Sequence, residues 1–260
     1  MKNQKINILN APIDALTKEE TIEKIRYSIR ENTHIHHVVV NAGKLVNMQN
    51  DVELYNSVVC SDIINADGQS IVWASRFLGT VLPERVTGID LMISLVEMAN
   101  NFGFSCYFLG AKEEVLIKTV NYFKNLYSPL IIAGYHDGYF DKSEEETIAK
   151  NIANSGAHIL FVAISSPKKE IFLNTYKNII KTPFIMGVGG SFDVIAGITK
   201  RAPIWMQKAG LEWFYRFIQE PKRMWKRYLL GNTIFIWLVI KQKLNLYRNP
   251  FNTYTTEKPS

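Results

Sequence analysis

Apolar residues along this chain alternate between two rhythms. Short, dense runs at Ile6–Leu9, His37–Val40, Val59–Ile64, Phe104–Leu109, Leu130–Ala133, Ile159–Ile164 and Phe184–Val188 read as strands. Between them, apolar positions recur at helical spacing. Thr17-Lys-Glu-Glu20 has capping-box spacing and opens a helix to about Arg30. A helix is expected at Ser70–Phe77. After Gly110, residues Val115, Leu116, Val120, Phe123 and Leu126 share one helical face. Further helices are expected near Glu144–Ala153 and Lys168–Ile179. Strands that stay apolar at successive positions are buried on both faces. Separated by amphipathic helices, they predict an α/β fold with a parallel sheet flanked by helices. The chain shows no internal repeat, and only residues 251–260 read as a disordered tail.

Composition narrows the class. At 260 residues with 47% hydrophobic and 21% charged positions, the chain can fill one large core. Cys60 and Cys106 each lie in an apolar stretch and read as small core residues of a reducing compartment. The first residues lack the apolar region of a signal peptide, and no run reaches the roughly 18 apolar residues of a membrane span. Secreted, disulfide-rich, fibrous and polytopic membrane classes are therefore not expected. Charge divides the chain further. Residues 201–250 hold ten Lys and Arg against Glu212 and Glu220, a surplus of eight, whereas the whole chain carries +6. A core over 1–200 and a basic, aromatic section over 201–250 follow.

In an open parallel sheet, ligands gather beyond the carboxyl ends of the strands. Four polar turns stand there: Asn41-Ala-Gly43, Asn65-Ala-Asp67-Gly68, Ser165-Ser-Pro-Lys-Lys-Glu170 and Gly189-Gly-Ser-Phe-Asp193. Gly187-Val-Gly189-Gly190 opens a helix, so its amides can cradle phosphate oxygens. It is neither a Walker A loop, because no Gly-Lys-Ser/Thr follows, nor a dinucleotide fingerprint, because the third glycine is misplaced and the strand comes late in the chain. Asp67 precedes a helix, where a carboxylate serves either as general base or as N-terminal cap. His34 and His36 share a strand face and His37 opposes them, with no supporting carboxylate nearby. A solvent-exposed strand start is expected there, not a metal site. No Asp-x-Asp pair occurs, so the sequence offers no metal site of that kind.

The basic section concentrates Arg, Trp and Tyr from Lys200 to Tyr228. Arginine forks suit phosphate, and Trp and Tyr suit a membrane interface. Thr233–Ile240 is too short to span a bilayer. With Lys241, Lys243 and Arg248 it suits a helix lying on an anionic membrane surface, or alternatively a core-packed helix with a basic end. Nucleic acid is not expected, because the body lacks a basic stripe and a reading motif.

Taken together, several blocks resemble the WecG/TagA/CpsF glycosyltransferases. They are Asn65-Ala-Asp67-Gly68, Leu82-Pro-Glu-Arg85-Val-Thr-Gly88-Ile-Asp90, Ser166-Pro-Lys168-x-Glu170, Gly187-Val-Gly-Gly-x-Phe-Asp193, Arg201-Ala-Pro203, Leu211-Glu-Trp213-x-Tyr-Arg216 and Glu220-Pro221-x-Arg223. They run in order from about residue 5 to 228. The resemblance implies a Rossmann-like core with a membrane-associating C-terminal appendage. It also implies an inverting transfer, without metal or cofactor, from a UDP-sugar to a polyprenyl-diphosphate-linked sugar at the inner membrane face, the protein being cytoplasmic and peripheral. Asp67 is then the base. Asn41, Arg85, Lys168, Lys169, Glu170, Gly187, Gly189, Gly190 and Asp193 become candidates for the donor. Arg216, Arg223 and Arg227 become candidates for the acceptor and its diphosphate, and self-association is left open. Val39 and Lys169 depart from the family's usual Thr and Gln, which leaves the sugar open among N-acetylmannosaminyl, N-acetylmannosaminuronyl and hexosyl groups. A nucleotide-cofactor oxidoreductase and a non-catalytic binder of anionic membranes remain as alternatives.

Overall fold

The computed structural model describes residues 4–225 and 230–251, without the side chains of Arg223 and Met224. Its first elements are β1 (Lys5–Ile8) and β2 (Ala11–Asp14). They pair as an antiparallel hairpin. Leu9 and Asn10 between them have φ of 50° and 64°, as a two-residue type I′ turn requires. Thr17 then caps α1 (Lys18–Arg30) through the expected reciprocal box with Glu20. The chain continues through β3 (Ile35–Val40), α2 (Ala42–Asn47), α3 (Val52–Val59), β4 (Ile63–Ala66), α4 (Gln69–Leu78) and α5 (Gly88–Phe102). Next come β5 (Ser105–Gly110), α6 (Glu113–Leu126), β6 (Ile131–His136), α7 (Glu145–Asn154), β7 (Ile159–Ala163), α8 (Lys168–Ile180) and β8 (Phe184–Gly187). After β8 comes α9 (Ser191–Ile195), and the C-terminal section holds α10 (Ile204–Lys208), α11 (Glu212–Gln219), α12 (Pro221–Trp225) and α13 (Gly231–Lys243).

Among the described residues six strands form a parallel sheet in the order β4-β3-β8-β7-β5-β6. Successive side chains of one strand enter opposite cores. Phe108, Phe161, Phe184 and Met186 pack with α1, α5 and α6. Leu109, Leu160, Val162 and Ile185 pack on the other face with α7 and α8. Val38, Val40 and Ile64 pack there with the hairpin, α2, α3 and α4. This two-sided burial is why the inner strands read as continuous apolar runs; β6, at the sheet edge, is instead partly exposed along its length. The Asp14 carboxylate accepts from the Ile64 amide at 2.8 Å, so the hairpin covers the outer edge of β4.

Several expectations need correction. Val59 and Cys60 do not start a strand: α3 runs to Val59, and Cys60 is its exposed C-cap, so only Cys106 is a core thiol. Leu126, at the last turn of α6, is exposed. His36 and His37 are fully buried, because β3 lies inside the sheet between β4 and β8. His37 Nε2 meets Asn65 Oδ1 at 2.8 Å. Burial, reinforced by Lys177 and the neighbouring histidines, lowers the pKa of His36 to about 3. Burial and Lys44 lower that of His37 to about 4. Both depressions mean that protons bind the unfolded chain first. Stability is expected to be held above pH 6.5 and to fall as pH drops from 6.5 toward 4, by up to about 1.4 kcal/mol per unit per histidine. Urea unfolding at pH 7 and pH 5 checks this, and equal unfolding free energies would refute it.

The C-terminal end folds back on the body. Phe235 and Val239 of α13 are buried against the hairpin, α2 and α4. Gln242 accepts from the Leu9 amide at 2.8 Å and donates to the Asn7 carbonyl at 3.0 Å. Phe251, at the start of the expected tail, packs on Tyr55 with ring centroids 5.3 Å apart, and 252–260 lie outside the described residues. No helix among the described residues is long and apolar enough to cross a membrane.

Candidate active site

Asp67 extends the end of β4. Its amide donates to the Val40 carbonyl at 2.8 Å, which ties it to the end of β3. The Val86 amide donates to the Ala66 carbonyl at 2.8 Å and brings the segment before α5 alongside. One Asp67 carboxylate oxygen then accepts from the Gly88 amide, 3.3 Å away, at the start of α5. Asp67 does not cap α4: the N-cap is Gly68, with no side-chain cap bond. Of the two roles open to this carboxylate, capping the helix that follows it is therefore excluded.

Burial raises the Asp67 pKa above the ordinary carboxylate value, and Glu212 adds to the rise. Arg216, the Gly88 amide and Arg85 pull it down without cancelling the effect. A carboxylate so placed holds a proton more firmly than an exposed aspartate, a useful property in a group that must take one.

Around it runs a charge network that joins the core to the C-terminal section. Arg85 Nη1 lies 2.7 Å from Glu212 Oε2. Arg201 grips Asp90 with two nitrogens, each at 2.7 Å, and its Nε lies 3.6 Å from Glu212 Oε1. Thr87 caps α5 and donates to Asp90 at 2.5 Å. Asp90, Arg201 and Glu212 are absent from the candidate residues named from sequence. Their signal was the motif blocks themselves, which place a charged residue at the end of the Arg85 block, before Ala-Pro and before Trp213.

Asn41 belongs to the same corner. It caps α2 by accepting from the Lys44 amide at 3.0 Å, and its Cβ is 3.5 Å from where a Gly68 side chain would begin. Val39, where the family has Thr, is buried, with a methyl 3.7 Å from the Cβ position of Gly88. It fills space behind Asp67 and does not line an open surface.

The third turn is tied into the body by its own side chains. Lys168 donates to the Phe140 carbonyl at 2.8 Å and lies 4.2 Å from that ring's centre. Lys169 and Lys44 both reach Glu170 Oε1, at 2.6 and 2.7 Å, and all three side chains are buried. The two lysines hold the Glu170 pKa down at about 2 against the opposing effect of burial. Lys44 also donates to the Val39 carbonyl at 2.7 Å, so the triad braces the floor beneath Asn41. Gly187 is buried, and a Cβ there would lie 3.0 Å from the Lys169 stem. The absence of a side chain at this glycine makes room for the Lys169 stem. Gly189, with φ of +54°, faces open space, whereas the Cβ position of Gly190 is 3.6 Å from a carboxylate oxygen of Asp193, in the first turn of α9. Arg216 is exposed on α11, near enough to Asp67 to act on its charge. Arg223 lies in α12 but its side chain is not described, and Arg227 lies outside the described residues.

A base candidate at a strand end, with Arg85 and Arg216 acting on its charge and a basic C-terminal section alongside, agrees with what most of the chain matches. The chain is a glycosyltransferase: it belongs to the Glycosyl transferase WecG/TagA/CpsF family, whose profile matches residues 6–249. Family membership sets aside the oxidoreductase and the non-catalytic binder. One relative, from Bacillus subtilis (strain 168), is named N-acetylglucosaminyldiphosphoundecaprenol N-acetyl-beta-D-mannosaminyltransferase. It is 34% identical over 210 residues, 80% of each chain. A second protein of that name, from Bacillus spizizenii (strain ATCC 23059 / NRRL B-14472 / W23), is 37% identical over 190 residues, 73% of this chain and 72% of its own.

Proposed function

We propose that this enzyme moves an N-acetylmannosaminyl or related hexosyl group from a UDP-sugar to a polyprenyl-diphosphate-linked sugar, with inversion and without a metal. The relatives' names supply the acceptor class and the first sugar to test. The observation that carries the mechanism is the Asp67 carboxylate beside Arg85 and Arg216. Asp67 takes the proton of the acceptor hydroxyl as its oxygen attacks the anomeric carbon from the face opposite the nucleotide. The new C–O bond forms as the bond to the diphosphate breaks, and UDP leaves with the electron pair. Arginines near the site meet the charge that develops on UDP. Asn41, Gly189, Gly190 and Asp193 line the donor side in this reading, while Lys169 and Glu170 support it from beneath.

The enzyme works at the inner membrane face, held peripherally by its C-terminal section. Ile236, Trp237 and Ile240 of α13 point away from the body and are exposed, and Lys241 lies 3.5 Å from the Trp237 ring centre. Such a mixture of apolar and cationic groups suits an anionic lipid surface. The test offers UDP-sugars to the purified chain with a short-chain lipid-diphosphate N-acetylglucosamine and reads UDP release. Release is expected with at least one donor, UDP-N-acetylmannosamine first. Silence with every donor would defeat the assignment. Cosedimentation with anionic vesicles should be weakened by serine at 236, 237 and 240 together. Unchanged binding would remove α13 from the membrane contact.

A further inference from the structure

A groove of about 460 Å³ runs between α4 and α10, lined by Val72, Arg76, Glu84, Arg85, Ile204 and Lys208 among others. Its inner end lies at the active site: Arg85 belongs to both, and Gln69, two residues beyond Asp67, is also in its wall. There Gly210 (φ +73°) is seated on Gln69, with its Cβ position 2.7 Å from Gln69 Cγ, so the turn before α11 closes this end. Gln69, Val72 and Arg76 are spaced i, i+3, i+7 and share one face of α4. At 1.5 Å per residue, that face leads about 10 Å away from Asp67. The outer end is apolar. Phe77 and Ile204 are exposed there, and the Lys243 ammonium of α13 is 6.0 Å from the Phe77 ring centre. Trp73 is exposed nearer the inner end, its ring 3.7 Å from the Cβ position of Gly210.

Charge in the groove is uneven. Arg85 is committed to Glu212, and Glu84 accepts from the Lys18 amide at 2.6 Å. Arg76 and Lys208 make no ion pair among the described residues. Two uncommitted cations therefore stand one short helix length from the base, on a track that ends in aromatic and aliphatic surface. A diphosphate suits the cations. In this enzyme it comes either with the nucleotide or with the lipid. A nucleotide has no use for an apolar exit, whereas a polyprenyl chain requires one.

We propose that Arg76 and Lys208 bind the diphosphate of the lipid-linked acceptor, whose sugar reaches inward to Asp67 and whose first isoprene units leave over Phe77 and Ile204. This assignment rests on the proposed function and leaves Arg85 and Arg216 to the departing nucleotide.

The test measures binding, so that it stands apart from turnover. Farnesyl diphosphate and UDP are titrated calorimetrically into the full chain and into an Arg76→Ala/Lys208→Ala variant. Farnesyl diphosphate is expected to bind the parent and to bind the variant at least tenfold more weakly, while UDP affinity stays the same. Arg76→Lys with Lys208→Arg should retain binding, and should the alanine variant fail to fold, Lys208→Glu alone should still weaken it. Equal farnesyl diphosphate affinity in parent and alanine variant, or no binding to the parent, overturns the proposal. An equal loss of UDP affinity also overturns it by giving the groove to the nucleotide. A chain that binds as expected yet transfers no sugar would sink the proposed function and leave the groove standing. Transfer without the expected binding pattern would do the reverse.

Discussion

Asp67→Asn is expected to lower kcat by about 10²- to 10⁴-fold, the usual contribution of a positioned general base, without unfolding the protein. Asparagine keeps an oxygen for the Gly88 amide and loses only the ability to take a proton. Because burial raises the Asp67 pKa, its ionised form is the one disfavoured by folding. The parent therefore loses stability as pH rises through that folded pKa, and the asparagine variant is spared the loss. Its thermal midpoint at neutral pH should equal or exceed the parent's. The acid limb of kcat/KM in the parent should report a group titrating above the ordinary aspartate value and should vanish in the variant. UDP release over a pH series measures all of this. Near-parental turnover in Asp67→Asn would exclude Asp67 as the base.

The second large effect concerns stability. Glu170→Ala removes the shared anion between Lys44 and Lys169 and leaves two buried ammonium groups facing each other. Breaking a buried charge pair costs about 3–5 kcal/mol, chiefly because the remaining charge is left uncompensated. Lys169→Gln, which restores the family's usual residue, leaves Lys44 and Glu170 as a one-to-one pair and should cost much less. Glu170 titrates at about 2 when folded, against 4.5 as a free side chain. Its contribution is present above pH 4.5 and is lost as pH falls toward 2, so parent and alanine variant should converge in that window. Urea unfolding free energies at pH 7 and pH 3 test the pair. A loss below about 1 kcal/mol at pH 7 would mean that the triad contributes little. Lys44 also holds the Val39 carbonyl beneath Asn41. Reduced transfer should therefore accompany the lost stability.

These two carboxylates show how differently parts of the site could be read from sequence. Asp67 sits in a turn directly after an apolar run, and strand ends of a parallel sheet are where ligands bind, so its neighbourhood was legible. Its freedom from capping α4 was not, because a residue before a helix looks the same whether or not it caps. Glu170 and Lys169 also follow a strand, and from spacing alone they face the donor as readily as the floor. What turns them inward is the pairing with Lys44, 126 positions away, and the space left by Gly187. Arg85, Asp90, Arg201 and Glu212 are each visible as charges in the chain, yet only folding makes them one network.

Local pattern determined a good deal. The Thr17 capping box, the strands at Phe104–Leu109, Ile159–Ile164 and Phe184–Val188, the helices following them and the two-sided burial of the sheet all depend on residues close in sequence. Their periodicity records which faces must leave water. The strand order, the burial of His36 and His37 inside it, the return of α13 onto α2 and α4 and the groove beside α10 depend on contacts between distant segments. Those contacts leave no period in the chain, because each is set by shape and charge that exist only once the layers have packed.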